Sequence, residues 1–232
     1  GFIRALAFRI GAILSYQVVS VAVGWHIYQI TGNPLALGLI GLAEVLPFVC
    51  TAPFAGYLVD HLPRRKLGMA ASFGLLLTPL ILLCVTRGWL PAQGVWPMYA
   101  AVCLTGMVRC FLTPVYNALF ARVLQRRQYA RGTSIANVFF QTGLVLGPAL
   151  GGGLVAWGGT TLAYSVAAVL AAVAIGVLVP LKVEEPVATG PRAPVFSSIA
   201  EGMRFVFSNQ IMLGAMALDL SLIHISEPTR PR

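Results

Sequence analysis

Six apolar runs, each near the roughly 20 residues a helix needs to cross a hydrocarbon core, occupy most of the 232-residue chain. They extend from Ile10 to Ile30, Leu35 to Val59, Leu67 to Thr86, Pro97 to Phe120, Thr133 to Trp157 and Thr160 to Leu181, and a seventh begins near Ile211. With 58% hydrophobic and 10% charged residues, the chain cannot hide that much apolar surface inside a water-soluble globule. The pattern predicts an all-α bundle whose partner is the lipid bilayer, because only helices and closed barrels pair their own backbone there.

The net charge of +9 raises the question of nucleic acid, but such a site gathers its cations on one face. Here they alternate loop by loop. If the first end is cytoplasmic, inner segments hold Arg4, Arg9, Arg64, Arg65, Lys66, Arg122, Arg126, Arg127, Arg131, Lys182, Arg192 and Arg204, and outer ones hold Arg87 alone. That asymmetry is topological and predicts a cytoplasmic N-terminus, with no nucleic-acid partner. Trp25, Trp89, Trp96 and Trp157 fall near the predicted outer boundary, where interfacial aromatics belong. Cys50, Cys84, Cys103 and Cys110 lie within apolar runs without metal-ligand spacing and read as buried free thiols. No metal or cofactor is expected, and no clustered nucleophile, acid and base suggests an enzyme.

Between the second and third runs, Gly56-Tyr57-Leu58-Val59-Asp60-His61-Leu62-Pro63-Arg64-Arg65-Lys66 forms a short charged hinge. In the fifth run Gly143, Gly147 and Gly151 recur at i, i+4 and make a smooth helix face, beside Gly152 and a backbone-bending Pro148. The hinge resembles the signature of the major facilitator superfamily between helices two and three, with Gly56, Leu58, Asp60, Arg64 and Arg65 matching and Pro63 where glycine is usual. The fifth run is similar to the antiporter motif of that family's efflux members, with Ser134 at its first, less strict glycine. Val23 to Gly38 and Ala217 to Leu220 look like the bacterial branch that includes enterobactin exporters and many drug exporters.

The resemblance covers Phe2 to Leu220 and implies the N-terminal six-helix bundle (1–182) of a twelve-helix exporter in the bacterial inner membrane. It implies small amphipathic cargo such as siderophores or drugs, proton antiport, and Asp60 as a cytoplasmic gate residue. An importer of a polar nutrient and a non-transporting structural subunit are the alternatives. After the bundle, 183–210 reads as a cytoplasmic linker in which Ser198 and Glu201 have capping-box spacing at the head of an amphipathic helix. Residues 211–219 read as the start of helix seven. Leu220 to Arg230 matches the translation of a sequencing-library transposase adapter, so 220–232 is expected to be foreign. The C-terminal half would then be missing, and the hinge would lack its long-range partners.

Three ionisable side chains fall inside spans, where a charge costs about 2.5–3.5 kcal/mol on insertion scales and persists through pairing or function. At 1.5 Å per residue, Glu44 lies about 14 Å and Arg109 about 18 Å from the outer starts of their helices, and Asp219 about 12 Å from the inner start of its own. All three are near the midplane, where transporters place coupling and substrate sites. Glu44 is the first candidate for carrying a proton, with an ion pair to Arg109 as the plainer alternative. Arg109 holds its charge, so it is a counter-ion to Glu44 or Asp219, or a hold on an anionic cargo. Gln17, Ser20, Asn117, Asn137 and Gln141 either line a cavity or bond a neighbouring helix. His26 reads as interfacial.

Overall fold

The computed structural model describes residues 2–89, 95–123, 129–180 and 204. The chain divides into two compact units, Gly1–Ala188 and Thr189–Arg232. Within the second unit only Arg204 is described, as helical and exposed. The linker, its amphipathic helix, the start of helix seven with Asp219, and the adapter-like tail lie outside the described residues.

Among the described residues of the first unit there are five helices: α1 (Phe2–Thr31), α2 (Pro34–His61), α3 (Arg64–Thr86), α4 (Trp96–Val123) and α5 (Tyr129–Leu178). All five are long and apolar enough to cross a membrane. The fifth is two crossings in one, because 50 helical residues would extend about 75 Å against a core of about 30 Å. It breaks at Gly159, whose φ of 72° and ψ of −176° belong to a region essentially reserved for glycine. Pro148 lies within the uninterrupted part of the helix.

Packing shows that the two arms run in opposite directions. Gly143, Gly147 and Gly151 of the first arm meet Ile13, Gln17 and Val18 in rising order along α1. Along the second arm the order reverses, with Gly11 against Ala174 and Ser15 bonded to Ala167. Six antiparallel crossings result, as the apolar runs predict, with the last two fused through a glycine bend.

The connections follow from short-range chemistry. After α1, Gly32 takes φ 60° and Asn33 caps α2 by accepting a hydrogen bond from the Leu35 amide at 2.9 Å, with Pro34 opening the helix. Leu62 and Pro63 alone separate α2 from α3. The Leu62 amide returns to the Leu58 carbonyl at 2.9 Å, and Pro63 precedes α3 without a side-chain cap.

The helices bury different fractions of themselves. α1 lies between the two arms of α5, and Ala12, Val18, Ala22, Ala163, Ala167, Ala171 and Ala174 are buried among them. Ser15 is fully buried and donates to the Ala167 carbonyl at 2.8 Å, and the buried Thr105 hydroxyl donates to Thr78 at 3.1 Å. α2 is peripheral: 11% of its most apolar window is buried, against 44% in α1. Its Leu42, Val45, Leu46 and Val49 are exposed, which an apolar solvent does not penalise. The same position explains a correction to the thiols, since all four are free but Cys110 alone is buried and Cys50 on α2 is exposed.

Trp25, Trp89, Trp96 and Trp157 are all exposed and mark one end of the bundle. Arg4, Arg64, Arg65 and Lys66 mark the other. There Arg4 donates to the Pro180 carbonyl at 3.3 Å, and Arg65 donates to the Val179 carbonyl. Two guanidinium groups thus serve the carbonyl end of the second α5 arm, where a positive charge is favourable. Within the bundle the hinge is tied by Arg65 to a residue 114 positions away.

Candidate functional site

The midplane charges meet. Glu44 on α2 and Arg109 on α4 form an ion pair at 2.7 Å, and a residue that sequence reasoning passed over completes it. Tyr16 on α1 donates its hydroxyl proton to the same Glu44 oxygen, Oε1, at 2.7 Å, and accepts from Arg109 Nη1 at 2.6 Å. Three helices are therefore joined by a closed triangle of short, charge-assisted bonds. The Arg109 guanidinium also lies over the Tyr16 ring, 4.3 Å from its centre, and 5.8 Å from that of Phe48, one turn after Glu44.

Backbone packing sets this geometry. At Gly106, one turn before Arg109, a Cβ would stand 2.2 Å from the Glu44 carbonyl oxygen. Glycine is required there for α4 to lie directly against α2 at the carboxylate's own residue. Tyr99 secures the same pair of helices toward the tryptophan end by donating to the Ala36 carbonyl at 3.0 Å. Glu44 is largely enclosed, with 14% of its side chain accessible, whereas Arg109 is 45% accessible and open on one side.

The remaining predicted residues separate into two groups. Gln17 is next to Tyr16 but faces α5, donating to the Leu144 carbonyl at 3.3 Å, while its stem covers Gly147, where a Cβ would come within 2.6 Å of it. It bonds a neighbouring helix. Asn137, Gln141 and Asn117 are exposed, the first two one turn apart on the first arm of α5. The glycine face is realised at Gly143, Gly147 and Gly151, each pressed on α1, whereas Gly152 faces open space. Of the hinge residues, Gly56 is exposed, Leu58 closes the end of α2, Arg64 is half-buried and Arg65 reaches Val179. The side chains of Asp60 and His61 lie outside the described residues. His26 is half-buried, its Nδ1 3.2 Å from the hydroxyl of the fully buried Tyr164.

The charge pattern assigns Arg9 to an inner segment before the first span. It is two turns inside α1, with its guanidinium 4.3 Å from the Tyr116 ring centre and 4.5 Å from that of Phe140.

Tyr16 carried a usable signal: a hydroxyl on the first span at the depth of Glu44 and Arg109. Its spacing alone did not distinguish it from Gln17 or Ser20, since facing directions on α1 depend on where its neighbours pack. Among the described residues no group of three metal-ligating side chains comes together.

Six apolar crossings with an ion pair at mid-depth define a multi-pass helical membrane protein. The chain belongs to the Major Facilitator Superfamily, whose family model matches residues 6–225. It is 22% identical over 153 residues to the uncharacterized MFS-type transporter YfiS of Bacillus subtilis, covering 62% of this chain and 35% of YfiS. It is 28% identical over 142 residues to MdtD of Salmonella paratyphi B, named for multidrug resistance, covering 61% of this chain and 29% of MdtD. The chain thus spans about a third of the length of these relatives.

Proposed function

We propose that the protein containing this chain is a secondary transporter that exports small amphipathic molecules by proton antiport, with Tyr16, Glu44 and Arg109 as its coupling element. One observation carries the reading: a carboxylate at mid-depth is held by an arginine and a tyrosine from two other helices. In an apolar solvent such a charge persists chiefly when it is paired or used. This triangle can be switched by a single proton. With Glu44 charged, α1, α2 and α4 are joined. With Glu44 neutral, Arg109 loses its counter-ion, and α2, which buries the least of itself, is released to move against the bundle.

The glycine face of α5 supports export, since it matches the antiporter motif and the structure uses three of its glycines to bring α5 against α1. The name of MdtD points the same way. The arginine-rich end is assigned to the cytoplasm and the tryptophan end to the outside of a bacterial inner membrane, in accord with the positive-inside rule. Asp60 is assigned to the cytoplasmic gate on resemblance. Siderophores and drugs are the cargo classes proposed, and the remaining two thirds of the relatives' length would supply the facing half of the pathway.

The test is dye and siderophore accumulation in cells expressing the full coding sequence that contains this chain, with and without a proton gradient. Glu44→Gln should abolish gradient-driven efflux while leaving membrane insertion intact. Full efflux by that variant would remove Glu44 from the mechanism, and efflux indifferent to the gradient would remove the antiport.

A further inference from the structure

The Arg109–Tyr16 stack has a counterpart two turns away with the helices exchanged. In the upper stack α4 supplies the arginine and α1 the tyrosine, and in the lower one α1 supplies Arg9 and α4 supplies Tyr116. Both partners are displaced by seven residues along their helices, and both guanidinium-to-ring distances are 4.3 Å. Seven residues are about 10 Å of helix, so the lower stack lies nearer the arginine-rich end.

The two levels differ in what neutralises the cation. Arg109 has Glu44. Arg9 has a second ring, Phe140 on the first arm of α5, and no carboxylate among the described residues. Rings satisfy the faces of a guanidinium but not its in-plane N–H donors, and Arg9 makes no hydrogen bond to a described residue. A cavity of about 40 Å³ opens beside it between α1, α4 and α5, lined by Ala12, Ile13, Leu112 and Thr113 along with the two rings. At roughly 10–15 Å³ per enclosed water, that room suits a carboxylate-sized group and not a whole drug-sized molecule.

The geometry points to Arg9, Tyr116 and Phe140 as an anion-receiving subsite that takes the carboxylate of a planar aromatic acid. The guanidinium edge matches a carboxylate with two parallel N–H bonds, and the flanking rings favour a flat apolar body attached to it. The inference rests on the export reading in one respect, that the acid is part of a cargo entering from the arginine-rich end. It narrows that cargo to anionic amphiphiles and gives a use to a cation that stands two turns inside α1 without a described counter-ion.

Binding can be read without transport. The purified 232-residue chain in phosphatidylcholine nanodiscs is titrated with benzoate and with its neutral analogue benzamide, using ligand-observed NMR. Benzoate should bind, and benzamide and the Arg9→Gln variant should each reduce affinity about tenfold or more, as loss of a charge-assisted pair implies. Arg9→Lys keeps the charge but loses the fork and should fall between them. Phe140→Leu keeps the guanidinium and should weaken benzoate about two- to fivefold, so it carries the test if the arginine variants do not fold. Benzoate affinity within twofold of the parent in a folded Arg9→Gln protein overturns the subsite. Displacement of benzoate by phosphatidylglycerol in the nanodisc also overturns it, by assigning the cation to a lipid headgroup. Absence of benzoate binding alongside Glu44-dependent efflux sinks the subsite alone, and benzoate binding without such efflux sinks only the coupling reading.

Discussion

The seam between α1 and α5 and the seam between α2 and α4 bring helices together in an apolar solvent by different means. At the first, a row of glycines meets Ile13, Gln17 and Val18 on one side of α1, and alanines with Ser15 fill the other, so backbones approach over many turns. At the second, Ile40 shares a buried cluster with Met98, Ala101 and Val102, Gly106 lets the backbones touch, and polar groups add Glu44, Arg109, Tyr16 and the Tyr99 bond to Ala36. Dispersion contacts spread along a helix add up and cannot be undone at one point. An ion pair can be, because one proton neutralises its carboxylate. The difference separates a seam held mostly by packing from one in which packing is joined by a polar latch.

The largest effect should come from filling the tightest backbone approach. Gly106→Ala places a methyl group 2.2 Å from the backbone oxygen of Glu44, which has no rotamer by which to yield. Overpacking of this kind typically destabilises by about 1–3 kcal/mol, and here the upper end is expected. Thermal unfolding in detergent measures it. A melting curve matching the parent would mean that α2 is free to retreat, and the latch would be weaker than drawn. Gly147→Ala makes the contrast on the other seam: its methyl group meets the stem of Gln17 at 2.6 Å, a side chain that can turn away, so a smaller loss is expected.

Gly159→Ala should follow. A non-glycine residue held at φ 72° and ψ −176° stores roughly 1–3 kcal/mol of strain. The loss should appear as separation of the two α5 arms, read as faster amide exchange near the bend than in α2. Exchange unchanged at the bend would show that the two arms do not depend on that conformation.

Of the ion pair itself less stability is expected. Polar contacts between helices in membranes average about 0.6 kcal/mol and reach about 1.7. A double-mutant cycle with Glu44→Gln and Arg109→Gln should give a coupling energy in that range, while either single change removes proton-coupled efflux. Coupling near zero would leave the pair as a coincidence of crossing helices.

How much of this was legible follows from what each inference needed. The crossings required only the length of apolar runs, which is why all six were found even where two are fused in one helix. The midplane pair was half legible: Glu44 and Arg109 stand out as charges at matching depths, but which neighbour completes them depends on the rotation of α1, which the sequence does not show. The surroundings of Arg9 were not legible, because its two rings, Tyr116 and Phe140, come from helices more than 100 residues away. Gly106 carried no sequence signal, since one glycine in a membrane helix is ordinary until its neighbour's backbone is known.

The smallest change separates the two roles of Tyr16. Its hydroxyl closes the triangle, and its ring supports Arg109 from 4.3 Å. Tyr16→Phe keeps the ring and removes the hydroxyl, leaving the Glu44–Arg109 bond at 2.7 Å between α2 and α4 in place. The stability change should be about 0.6 kcal/mol, near the average for one interhelical bond. The coupling consequence should be larger in kind, because α1 would no longer register whether Glu44 is charged. Efflux of a neutral dye should persist with a weakened dependence on the proton gradient. If gradient dependence is retained in full, α1 takes no part in the switch, and the latch reduces to α2 and α4 alone.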